Sequence, residues 1–202
     1  MNFLAHLWLA EQARVPLAGA VLGDWFRGAL PPELPDALAL SVRLHRRVDV
    51  ETDKHPRVVA ARRRFGAGTR RYSGILLDLL YDHALAMDWT QFSAERLDDF
   101  AARAGQEMAR HANWFERSGG PVPSAAGFRA LLLSYATESG LEHAAERTAR
   151  RLRRTQGMIE AMGEWRARMP ALREDLPVLL EDLRALAQAF VGGQGRISKP
   201  LT

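Results

Sequence analysis

Apolar residues recur along this chain at steps of three and four, and no alternation of useful length appears, so the expected elements are helices and not strands. Residues 2–13 read as a first helix, with Phe3, Leu4, Leu7, Trp8 and Ala10 at apolar positions. Pro16 is placed to open a second helix over 17–27. The segment 28–35 holds three prolines and reads as a loop. Asp36 is a candidate cap for a helix running to about residue 53. The chain before Pro56 is pushed away from helical geometry, which sets a break near His55. A basic helical stretch over 57–65 ends at Gly66 and Gly68, and Thr69 is a candidate cap for the helix that carries the chain to Trp89. Ser93 then starts an amphipathic helix to about residue 117, with Glu95 in part of a capping-box pattern. Gly119, Gly120 and Pro121 mark the clearest break. Helices are expected at 125–137, 141–161 and 170–190, followed by a loose Gly-rich tail over 192–202. No repeat and no linker divides the chain, so the expectation is one all-α helical-bundle domain over 1–191.

Length and composition agree with this and narrow the chemistry. A chain of 202 residues has room for one core. No apolar run nears the ~20 residues of a membrane span, and no secretory signal is visible, so the expected place is the cytoplasm. There is no cysteine, which leaves no disulfide, thiolate nucleophile or Cys-held zinc. Any metal must be held by His, Asp, Glu or Asn, which favours a harder ion such as manganese, magnesium or iron. The pI is about 10.1 and the lysines are only Lys54 and Lys199, so the basic side is arginine. That admits nucleic acid, an acidic protein, or a bias of the source genome.

Within the apolar periods sit several acids and imidazoles. His45 and Asp49 are four apart and share a helix face, as do Asp78 and Asp82, with His83 one step round. Ile75, Leu76, Leu77, Leu79 and Leu80 surround Asp78 and precede Asp82, and charges are rarely buried unless paired or bound to metal. His6 and Asp24 are likewise enclosed by bulky apolar residues. Each also has a plainer reading: His6 as a hydrogen-bonded core residue, Asp24 as a cap or a partner of Arg27, and any one His/Asp pair as surface. His111 and His143 lack a suitably spaced acid and read as surface. There is no phosphate loop, nucleophile elbow or HExxH helix. A cysteine-free His/Asp cluster on helices therefore points to metal-assisted hydrolysis. Arg46, Arg47 or Arg71 is a candidate to neutralise a phosphoryl oxygen. Residues alone reach a helical metal-dependent phosphohydrolase without a substrate.

The chain also resembles a known family, the acyl carrier protein phosphodiesterases. The resemblance rests on Met1-Asn2-Phe3-Leu4-Ala5-His6-Leu7 and Leu22-Gly23-Asp24-Trp25-Phe26-Arg27-Gly28. It continues through His45-Arg46-Arg47-Val48-Asp49 to Thr52-Asp53, then Thr69-Arg70-Arg71 leading to Leu77-Asp78 and Asp82-His83. It is good over about the first 90 residues; the second half is similar in length and helical character only.

This likeness implies hydrolysis of the phosphodiester that joins 4′-phosphopantetheine to a serine of acyl carrier protein, giving the apo form. It implies a divalent cation, manganese by preference, and an all-helical fold like that of HD phosphohydrolases. By that likeness the metal would be held among His6, Asp24, His45, Asp82 and His83. Catalysis would fall to Asp24, His45, Asp49, Asp82, His83 and Arg46. Gly23 stands where the wider superfamily has the His of its His-Asp pair, so His45 or His83 would fill that vacancy. The strongly acidic carrier protein would dock on Arg47, Arg62, Arg63, Arg64, Arg70 and Arg71, with no part for nucleic acid or membrane. The alternatives are an HD-like phosphohydrolase of a nucleotide or other small phosphodiester, and a non-catalytic helical module that binds acidic proteins.

Overall fold

In the computed structural model, residues 2–150 and 156–197 are described, and among them there are helices and no strands. The α-helices are α1 (Phe3–Gln12), α2 (Leu17–Leu22), α3 (Asp36–Lys54), α4 (Pro56–Arg63), α5 (Ser73–Met87) and α6 (Leu97–Arg110). They continue with α7 (Ala112–Arg117), α8 (Ala125–Ser134), α9 (Glu138–Ala149), α10 (Gln156–Met162) and α11 (Trp165–Ile197). Two 3₁₀ turns, Arg70–Tyr72 and Trp89–Gln91, bracket α5. The all-α expectation holds, and no described helix is long and apolar enough to cross a membrane.

Helices α1 and α5 form the axis of the bundle. Every residue from Leu4 to Ala10 is buried, and so is every residue from Leu79 to Ala86. A helix that is apolar all round has to be surrounded, and α1 packs on α2, α3, α5 and α11. That enclosure makes polar groups on these two helices costly unless each finds a partner. Helix α3 is amphipathic, with Leu38, Val42, Leu44, His45 and Val48 on its inner face. It ends at His55, whose extended backbone (ψ 132°) meets Pro56 as expected of a residue before proline. Helices α6 and α8 pack closely together and close one side of the core.

Several element expectations are corrected. The second helix stops at Leu22, and the chain then tightens into i→i+3 turns, Asp24 N–H to Val21 O at 3.2 Å and Trp25 N–H to Leu22 O at 3.0 Å. Asp24 therefore sits on a turn and not on a helix. The stretch from Ser93 splits at His111 into α6 and α7. The helix expected from residue 141 begins three residues earlier, because the Thr137 side chain accepts from Gly140 N–H and caps it.

Pro170 does not open the last helix; it lies inside α11, as does Pro177. Both prolines are exposed, so the carbonyls they leave without a donor face water, while Met169, Leu172, Leu176, Leu179, Leu180 and Leu183 hold the other face in the core. The same helix runs on to Ile197, into the segment expected to be loose. Once packing has set a helix, adding a residue is cheap, and glycine costs only about 1 kcal/mol against alanine. Residues 198–202 lie outside the described part.

Candidate metal centre

Three side chains from two helices converge at the inner face of α3. His6 comes from α1, His45 and Asp49 from α3, and one ligand atom from each lies within 4.8 Å of the others. His6 Nε2 is 2.9 Å from Asp49 Oδ1, and His45 Nε2 is 3.2 Å from Asp49 Oδ2. The two imidazoles stack with centroids 4.0 Å apart. Asp24 reaches the same ring from its turn, with Oδ1 3.6 Å from His45 Nε2. The histidines are buried, whereas the Asp24 and Asp49 side chains are each 45% exposed, so the group is sealed behind and open at its carboxylates.

Hydrogen bonding decides how these groups present themselves. His45 Nδ1 is 2.7 Å from the carbonyl oxygen of Ala20. A carbonyl only accepts, so Nδ1 carries the proton and donates. With Nδ1 committed there, Nε2 is the atom that His45 turns toward the Asp24 and Asp49 carboxylates. A positive charge between nitrogen and oxygen, a proton or a metal ion, is what holds such a contact. Backbone anchoring of the second ring nitrogen is how metal-ligating histidines are oriented. Burial and the neighbouring His45 hold His6 down to about 3, so its ring is neutral near pH 7. The hydrogen bonds from both imidazoles keep Asp49 ionised, well below the usual carboxylate range. Burial raises Asp24. The two imidazoles with the carboxylates form a nitrogen and oxygen donor set of the kind that takes a divalent metal ion. The residues fit a divalent ion.

Gly23 is what makes room for this. A Cβ there would lie well inside contact distance of the Cβ, Cγ and Cδ2 atoms of His45. The His45 ring thus occupies the space beside residue 23. Gly23→Ala is expected to push the ring off its Ala20 anchor and weaken manganese binding at least about tenfold. Calorimetry would read this, and an unchanged affinity would mean that the ring can give way.

The other sequence candidates lie elsewhere. Asp82 is fully buried, but Oδ2 accepts from Leu4 N–H at 2.7 Å and Oδ1 from Ala5 N–H at 3.2 Å. It caps the first turn of α1, satisfying donors that a helix start leaves unpaired. His83 is buried with Nδ1 2.6 Å from Tyr135 O and its ring edge-on to Trp165. It ties α5 to the second half of the chain. Neither belongs to the His6–His45–Asp49 group. Arg46 donates to Gly28 O at 2.9 Å and to Phe26 O at 2.8 Å, strapping the loop after Asp24 in place. Arg47 pairs with Glu51, Arg62 with Asp53, and Arg71 lies over the Tyr72 ring. Arg63, Arg64 and Arg70 are exposed.

A cleft of about 440 Å³ opens beside the group, with Asp24 on its wall. Asn2, Trp25 and Asp78 line it from the first half, and Tyr135, Arg147 and Thr148 from the second. Burial raises Asp78. Tyr135 accepts a hydrogen bond from Asn2 Nδ2 at 3.2 Å. The contributions of Tyr135 and Arg147 had no signal in the sequence, since no local period relates them to residue 24.

A family model described as acyl carrier protein phosphodiesterase matches residues 1–183. Among curated relatives, the acyl carrier protein phosphodiesterase of Yersinia pestis is 45% identical over 112 residues, 55% of this chain and 58% of that protein. The protein of that name from Escherichia coli (strain K12 / DH10B) is 40% identical over 109 residues, 54% of this chain and 56% of that protein. The chain thus spans somewhat over half the length of the curated relatives it matches. No solved structure matches it.

Proposed function

The chain belongs to the acyl carrier protein phosphodiesterase family, and on that footing we propose that it hydrolyses the phosphodiester joining 4′-phosphopantetheine to a serine of acyl carrier protein. The products are apo-acyl carrier protein and phosphopantetheine. The observation that carries this reading is the meeting of His6, His45 and Asp49 beside a cleft that Asp24 also lines. His6 Nε2, His45 Nε2 and the Asp49 carboxylate would hold a divalent cation, manganese by preference, with Asp24 completing the set. When bound, such an ion draws charge from a non-bridging phosphoryl oxygen and lowers the pKa of water.

The protein's own residues supply the rest. Ala20 O holds the His45 ring with Nδ1 on the backbone and Nε2 turned to the carboxylates. Asp49 gives one oxygen to each imidazole and so sets their spacing. Asp24, on its turn, faces both the ring and the cleft, and fixes the side from which a diester meets the group. The cleft volume falls within the roughly 300–1,000 Å³ of small-molecule sites. An acidic carrier protein would dock through arginines not used within the fold, of which Arg63, Arg64 and Arg70 are exposed.

The test is a mass measurement on holo-acyl carrier protein incubated with the purified protein, with and without manganese. Manganese-dependent loss of the phosphopantetheine mass is expected. An unchanged mass with metal verifiably bound would discard the substrate, and cleavage of free nucleotides instead would favour a small-diester hydrolase.

A further inference from the structure

We infer that Arg147, from the second half of the chain, is the residue that grips the phosphate in the cleft, binding a non-bridging oxygen of the diester. This rests on the phosphodiesterase reading above. Asp24 and Asp78 put two acids on the cleft wall, and Arg147 is the one basic residue among those that line it. A phosphodiester is an anion, and a wall of carboxylates repels it unless a fixed cation offsets them. The arginines that sequence spacing offers for this task are engaged elsewhere: Arg46 on the carbonyls of Phe26 and Gly28, Arg47 on Glu51, and Arg71 over Tyr72.

Arg147 is placed and available. Ala144, Arg147 and Thr148 all line the cleft, and that spacing is one face of α9. The acids of the same helix are committed to other arginines, Glu138 and Glu142 to Arg166 and Glu146 to Arg150. Among the described residues Arg147 makes no ion pair. Tyr135, whose hydroxyl accepts from Asn2, lines the same cleft as Arg147 and the metal-side carboxylate Asp24. A guanidinium offers paired donors that match phosphate oxygens, which a lysine cannot reproduce.

The experiment compares wild type with Arg147→Ala and Arg147→Lys in two readouts, plus Arg110→Ala as a control that removes the same charge from outside the cleft. The first readout is kcat/KM on holo-acyl carrier protein with manganese. Arg147→Ala should lower it about a hundredfold, the loss typical of one transition-state donor, with Arg147→Lys recovering part and Arg110→Ala unchanged. The second readout is affinity for inorganic phosphate by calorimetry with magnesium present, expected to fall at least about tenfold in Arg147→Ala at unchanged helical content. A phosphate affinity equal to wild type in Arg147→Ala overturns the assignment. Should wild type itself fail to cleave the carrier protein, the phosphodiesterase reading fails, and the phosphate titration still decides the role of Arg147.

Discussion

Asp49→Ala is expected to abolish metal binding and to lower turnover of holo-acyl carrier protein about a thousandfold or more, a barrier increase of about 4 kcal/mol. Among the described residues, Asp49 is the one carboxylate in contact with both imidazoles, at 2.9 Å and 3.2 Å. Without it, the two rings stacked 4.0 Å apart lose the carboxylate that bridges them, and Asp24, which reaches His45 alone, is left to balance a divalent charge. The side chain is 45% exposed, so its loss leaves no buried hole, and helical content should be unchanged. Metal content by mass spectrometry and kcat at saturating manganese are the measurements. Turnover near wild type in this variant would remove Asp49 from the centre and sink the reading built on it.

Asp82→Ala should behave in the opposite way: a stability defect with metal binding retained in the folded protein. The buried carboxylate accepts from both Leu4 and Ala5 N–H. Its removal strands two donors at the start of the central helix, a loss of about 2–4 kcal/mol, or about 10 °C in melting temperature for a chain of this size.

The pH dependence has a definite sign. Burial pushes the folded Asp82 up to about 7, while an unfolded aspartate titrates near 3.9. Between those values the folded state holds a proton that the unfolded state has lost. The stabilising contribution of this linkage is therefore complete below about pH 4 and is lost as the pH rises through 7. Asp82→Asn, which cannot ionise, should flatten that slope in thermal melts between pH 4 and 8. If Asp82→Ala instead melted like wild type and lost manganese affinity, Asp82 would be a ligand and not a cap.

Much of this protein is legible in its sequence because the relevant signals are local. A helix turns about 100° per residue, so apolar spacing reveals the bundle, and the four-residue step from His45 to Asp49 places both on one face before any fold is known. His6 among the apolar residues of the first helix, and Asp24 between Gly23 and Trp25, stand out for the same reason. The signal fails where the same local pattern serves two purposes. Asp82 and Asp49 both look like acids beside an imidazole on an apolar helix. What separates them is the partner: the start of α1, 78 residues away, for Asp82, and two histidine rings for Asp49.

The arginines divide in the same manner. Arg46 lies beside His45 in sequence yet points to the loop carbonyls of Phe26 and Gly28, because neighbours on a helix project about 100° apart. Arg147, with no motif around it, reaches the cleft only because α9 folds back against α5. Composition and period determine which residues are buried and on which face they stand. Which buried groups meet across the bundle depends on packing between segments far apart in the chain, and a one-dimensional period carries no information about that.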